Sequence, residues 1–141
     1  MKSLKKILLV DDDMDDQLLF TEALKDLSSQ VFCKLSNNGM EAFEYLLSSA
    51  ELPAVIFLDL NMPFMNGLQF LAKLQKEERF KYIPVVIFTT SNSPADHAVT
   101  QQMGARLYIT KPADFRILKE KIREVLKIDF SKPMLSVPFD F

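Results

Sequence analysis

Ala54-Val55-Ile56-Phe57-Leu58-Asp59-Leu60-Asn61-Met62-Pro63 is the stretch from which the rest of the chain is read. Five apolar residues run without alternation into one carboxylate, and Pro63 stands four residues beyond it. An unbroken apolar run, with Pro53 just before it, has the pattern of a strand buried on both faces. Such strands belong to parallel sheets covered by helices on each side. Asp59 is thereby placed at the carboxyl end of the strand, the edge of open α/β sheets where ligands bind.

Four other short strands are legible on either side. Ile7-Leu8-Leu9-Val10 ends abruptly in Asp11-Asp12-Asp13, and Val31-Phe32-Cys33-Lys34-Leu35 is followed by the turn Asn37-Asn38-Gly39. Pro84-Val85-Val86-Ile87-Phe88 closes with Thr89-Thr90-Ser91, and Leu107-Tyr108-Ile109 closes with Thr110-Lys111-Pro112. Helical spacing fills the intervals. Over 14–27 it places Leu18, Leu19, Ala23, Leu24 and Leu27 inward; over 40–47, Met40, Phe43, Leu46 and Leu47; over 68–75, Leu68, Leu71 and Leu74. Glu77, Glu78 and Arg79 read as a polar extension of that third helix. Ser93-Pro94-Ala95-Asp96 has the cap, proline and acid of a helix start, and Gly104 stops that helix near Met103. The last helix covers 115–126. Five strands alternating with five helices predict a three-layer, doubly wound α/β domain with a five-stranded parallel sheet and right-handed crossovers. The expected order is the flavodoxin-like 2-1-3-4-5, with the first and third strands adjacent at the switch point.

Composition narrows the function. A chain of 141 residues, 48% hydrophobic and 26% charged, is one ordinary globular domain. A net charge of −2 without a Lys/Arg-rich run argues against DNA as a partner. Cys33 is the only cysteine, which rules out an internal disulfide and points to a reducing, cytoplasmic setting. His97 is the only histidine, with no Cys/His ligand near it in sequence, so a zinc site is not expected. The basic start Met1-Lys-Ser-Leu-Lys-Lys precedes an apolar stretch far too short for a signal peptide, and no segment has the length of a membrane span.

The expected topology gathers chemistry on one edge. Asp11 and Asp12 follow the first strand, Asp59 ends the third, Thr89 the fourth, and Lys111 the fifth. Crowded carboxylates repel unless one is protonated or a cation lies among them. Carboxylate oxygens with water and phosphate suit Mg²⁺. A carboxylate facing Mg²⁺, an ammonium and a hydroxyl can carry a phosphoryl group, because the cations neutralise the charge that develops during transfer.

These motifs together resemble the receiver domain of two-component response regulators over residues 5–127. The motifs are Leu9-Val10-Asp11-Asp12, Leu58-Asp59-Leu60-Asn61-Met62-Pro63 with Gly67, Val86-Ile87-Phe88-Thr89-Thr90, and Tyr108-Ile109-Thr110-Lys111-Pro112. The resemblance implies Asp59 as phosphoacceptor, and Asp11, Asp12, Asp59 and the backbone carbonyl of Asn61 as Mg²⁺ ligands. It implies that Thr89 and Lys111 contact the phosphoryl group and that Tyr108 is an aromatic switch. The donor would be a sensor histidine kinase or phosphotransfer protein. The response would be a change at the surface of helix 4, strand 5 and helix 5, read by a downstream protein. Thr90 stands where many relatives carry Ala or Gly, and Asn66 where Asp is frequent. Asn61 and Ser91 occupy positions that tune dephosphorylation in relatives.

Residues 1–127 thus read as the receiver, and 128–141 as an apolar tail too short for an output domain. Pro133 and Pro138 forbid a continuous helix there. The tail is expected to pack on its own domain, or on a second subunit as a homodimer, against the alternative of a disordered end. The expected protein is a stand-alone response regulator rather than an enzyme. A Mg²⁺-dependent phosphohydrolase with an Asp nucleophile is the alternative, although its Asp-x-Asp motif would need a carboxylate where Asn61 stands. A flavin-binding module would need a hydroxyl- and glycine-rich loop in place of Asp11-Asp12-Asp13.

Overall fold

Parallel pairing links five strands into one sheet in the computed structural model, which describes residues 5–28, 30–132 and 137–141. β1 (Lys5–Val10) lies between β2 (Val31–Ser36) and β3 (Val55–Leu58); β4 (Val85–Thr89) and β5 (Leu107–Thr110) follow outward from β3. The order is 2-1-3-4-5, as the apolar runs predict. The helices are α1 (Met14–Leu27), α2 (Gly39–Ser48), α3 (Gly67–Lys76), α4 (Pro94–Gln102) and α5 (Phe115–Lys127).

The uninterrupted runs are explained by what covers them. Alternate residues of a strand face opposite sides. Ile7, Leu9, Phe57, Val86 and Phe88 pack with Phe20, Leu24, Leu118 and Ile122 of α1 and α5. Leu8, Val10, Ile56, Leu58 and Ile87 pack with Phe43, Leu46, Phe70 and Leu74 of α2 and α3. Phe20 anchors the first layer with edge-on contacts to Phe57 and Phe88, ring centroids 4.9 and 5.6 Å apart.

Two helix faces differ from the periodicity reading. In α1 the buried residues are Gln17, Phe20, Ala23 and Leu24, while Leu18 and Leu19 are exposed. In α2 Gly39, Ala42, Phe43 and Leu46 face inward, and Met40 and Leu47 face water. A single exposed Leu or Met on a helix is ordinary, so counting apolar residues finds Ala23, Leu24, Phe43 and Leu46 but misassigns their neighbours on the stripe. The polar stretch expected to extend α3 instead forms a turn that buries Phe80 and Ile83. Ser93 caps α4 through Asp96 N–H, with Pro94 in the first turn. Gly104, just past the cap of α4, has φ of 96°. Burial pushes the Cys33 thiol up to about 12, so it behaves as a small apolar residue.

No helix among the described residues is long and apolar enough to cross a membrane. The reading of the basic start at residues 1–4, and that of Pro133 in the tail, lie outside the described residues.

Candidate functional site at the carboxyl edge of the sheet

Backbone hydrogen bonds between neighbouring strands carry the ladder one residue past the sheet, and those residues are the ones singled out by sequence. Asp11 N–H donates to Ser36 O at 3.0 Å, Asp59 N–H to Val10 O at 2.9 Å, and Lys111 N–H to Thr89 O at 2.8 Å. The side chains are therefore positioned by the sheet itself. Asp13 caps α1 by accepting from the N–H groups of Asp15 and Asp16, which fixes the turn after Asp11 and Asp12. Asp11 Oδ1 accepts Asp13 N–H at 2.9 Å. Gln17 donates to the Asp11 carbonyl at 2.6 Å and to Asn37 Oδ1 at 2.9 Å, tying this turn to the end of β2.

On the other side, the loop after β3 folds back tightly. A Cβ at Gly67 would lie 2.3 Å from the Asp59 carbonyl oxygen and 2.7 Å from Leu60 Cα. Only glycine allows α3 to begin this close to the Asp59 backbone. Asn66 and Gln69 close a reciprocal capping box at the same helix start.

Asp11, Asp12 and Asp59 each offer a carboxylate oxygen within 4.8 Å of the others. Asp11 and Asp59 are buried and Asp12 is exposed. Lys111 sits among them, its ammonium 2.8 Å from Asp11 Oδ2, 2.7 Å from Asp16 Oδ2 and 3.4 Å from Asp59 Oδ2. Burial pulls the Lys111 pKa down. Its bonds to Asp11 and Asp16 and the field of Asp59 and Asp11 outweigh that, leaving it above the ordinary value. Asp11 moves to about 6, because burial raises it more than Lys111 and the Asp13 N–H lower it. Thr89 is fully buried, its carbonyl accepting Lys111 N–H and its hydroxyl oxygen accepting Ser91 N–H, and Asn61 is exposed with its N–H 3.4 Å from Asp59 Oδ1.

The donor set suits a divalent cation. Asp11 Oδ2 is buried, and the Lys111 ammonium 2.8 Å away is the one positive charge paired with it among the described residues. A hard cation bound by oxygen from Asp11, Asp12 and Asp59 would satisfy that oxygen and relieve the mutual repulsion.

Tyr108 is on β5, next to the strand end that carries Lys111. Its ring is buried and stacked on His97 of α4 with centroids 3.7 Å apart, and its hydroxyl donates to Ser91 O at 2.8 Å. Ser91, two residues after Thr89, thereby joins the end of β4 to Tyr108. Asp16, in the first turn of α1, joins the site through Lys111, a contact that no local pattern in the sequence announces.

Comparison with known proteins decides the family. Residues 7–123 match the family described as the response regulator receiver domain. The chain belongs to the response regulator receiver family. It is 35% identical to the chemotaxis protein CheY1 of Helicobacter pylori over 121 residues, which is 86% of this chain and 96% of that protein. The solved structure of the phosphorylated cyanobacterial phytochrome response regulator RcpA is similar with a TM-score of 0.81 and 33% identity, covering 87% of this chain and 91% of that one. The Mn²⁺-bound form of response regulator Rcp1 is similar with a TM-score of 0.78 and 28% identity, covering 95% and 99%. This receiver is homologous to signalling proteins, and the comparisons lend no support to the phosphohydrolase alternative.

Proposed function

We propose that this receiver accepts a phosphoryl group on Asp59 from the phosphohistidine of a histidine kinase or phosphotransfer protein. The convergence of Asp11, Asp12 and Asp59 within 4.8 Å, bridged by Lys111, carries the reading. A carboxylate oxygen of Asp59 forms the new bond to phosphorus, the phosphorus–nitrogen bond breaks, and the imidazole keeps the electron pair and takes a proton. Lys111 and the Thr89 hydroxyl receive the phosphoryl oxygens. Asp11, Asp12, Asp59 and the Asn61 carbonyl would hold Mg²⁺, which supplies neutralisation of the phosphoryl charge when bound. Thr89 moves toward the phosphoryl group and releases space near Ser91 and Tyr108. The face formed by α4, β5 and α5 then changes for a downstream protein in the cytoplasm.

The test is intact-mass spectrometry after incubation with acetyl phosphate and Mg²⁺. A single labile phosphoryl adduct is expected on the native chain, and none on Asp59→Asn or in EDTA. An adduct that survives Asp59→Asn overturns the assignment.

A further inference from the structure

β5 is one of the two edge strands of the five-stranded sheet, so one row of its backbone groups is left unpaired by the other four strands. The chain itself fills that edge. Tyr108 N–H donates to Phe139 O at 2.7 Å, and Phe141 N–H donates to Tyr108 O at 2.8 Å. Tyr108 and Asp140 form a parallel bridge, so residues 139–141 are added to the sheet as a minimal sixth strand.

The side chains of this segment reach α4, β5 and α5. Asp140 Oδ1 is 3.9 Å from His97 Nδ1 on α4. The Phe139 ring lies 6.1 Å from that of Tyr108. Lys121 on α5 donates to the Phe141 carbonyl, and its ammonium lies 5.2 Å from the centre of the Phe141 ring. Val137 and Phe141 pack on the α1/α5 layer and Phe139 on the opposite one. The segment straddles the sheet edge between α4 and α5.

We infer that the β5 edge is a strand-docking surface for an extended segment with two aromatic residues flanking an acid, and that residues 137–141 occupy it in cis as a competitor of the downstream protein. The inference rests on the proposed output role of this face, and it names how the partner binds. Recognition is by strand addition: the Tyr108 N–H and C=O supply the backbone bonds, Tyr108 and the two core layers take the aromatic rings, and His97 faces the acid. Tethering sets the strength of the competition. A short link gives an effective concentration on the order of 1 mM, so a segment that binds in trans at about 0.1 mM fills the edge about tenfold over when tethered. A partner's apparent affinity falls by the same factor until the edge is released. Because Tyr108 supplies both backbone bonds, movement of Tyr108 acts on the docked strand directly.

Two measurements on the full chain test this. A fluorescent peptide Val-Pro-Phe-Asp-Phe, matching residues 137–141, is titrated against the native chain and against Phe141→Pro, which lacks the N–H that bonds Tyr108 O. Phe139→Ala/Phe141→Pro is the second variant, and thermal melting confirms that both remain folded. The variants are expected to bind the peptide about tenfold tighter than the native chain, and equal affinity or no binding overturns the inference. Amide exchange at Tyr108 is expected to be at least tenfold faster in the variants, and unchanged protection also overturns it. Neither readout needs phosphoryl transfer. An intact Asp59 adduct with unmoved Tyr108 exchange removes this inference alone, and a missing adduct with the strand-docking results intact removes only the proposed phosphoryl chemistry.

Discussion

Lys111 of the β5–α5 loop is held closer to Asp16 of α1, at 2.7 Å, than to Asp59, at 3.4 Å. The two residues are 95 positions apart, so only the fold brings them together. The side chain of Asp16 is partly exposed, whereas that of Lys111 is almost buried. Asp16 therefore anchors the ammonium from the solvent side and competes with any phosphoryl oxygen for it.

Asp16→Asn is expected to quicken phosphoryl uptake from acetyl phosphate by several-fold, since one of the three acids holding Lys111 loses its charge. Stability should change by less than about 1 kcal/mol, as for a partly exposed ion pair. Rates from intact-mass time courses, paired with urea melts, check both. A slower uptake would show that Asp16 orients Lys111 for the reaction instead of restraining it.

Asp11 gives the apo protein a definite pH dependence. Its folded pKa of about 6 lies above the ordinary 3.8, so between those values the folded chain binds more protons than the unfolded chain. Stability from this group is present below about pH 4 and is lost as pH rises to about 6, a loss on the order of 3 kcal/mol. Calorimetry in EDTA should show that decline. Mg²⁺ should raise the melting temperature more at pH 7 than at pH 5, where the proton competes with the metal. Asp11→Asn should flatten the profile and weaken the Mg²⁺ response.

Gly67→Ala tests the support under Asp59. The added Cβ would meet the Asp59 carbonyl oxygen at 2.3 Å, a backbone atom that moves only with the loop. Overpacking of this kind costs about 1–3 kcal/mol or more. Urea unfolding should register that loss, with slower phosphoryl uptake at temperatures where the variant is still folded.

Much of this arrangement was legible because it depends on short-range pattern. The runs ending at Val10, Leu58, Phe88 and Ile109 are apolar on both faces, which implies helices on both sides and forces their end residues onto one edge. Helix rotation was less legible. Leu18 and Phe20 are both apolar, and only packing against Phe57 and Phe88 selects Phe20 for the core. The same holds for Phe80, hidden in a charged stretch, and for Asp16, whose role appears only when β5 delivers Lys111. The strand at 139–141 has no periodicity to announce it, because its pairing depends on the free edge of β5.

Phe20→Ala and Leu18→Ala separate the two faces of α1. Removing the buried ring should cost about 3–5 kcal/mol. Leu18 is 59% exposed, so its truncation should stay within roughly 0.5 kcal/mol of the native chain. Chemical denaturation of the two variants gives the comparison, and a larger loss for Leu18→Ala would mean that α1 is rotated.

The most direct test of the central claim is chemical trapping of the phosphorylated residue. The chain is treated with acetyl phosphate and Mg²⁺, reduced with borohydride to convert an aspartyl phosphate to homoserine, and mapped by peptide mass spectrometry. Homoserine at position 59 alone is the predicted result. Homoserine at position 11 or 12, or an unreduced Asp59 beside a phosphorylated His97, would contradict it.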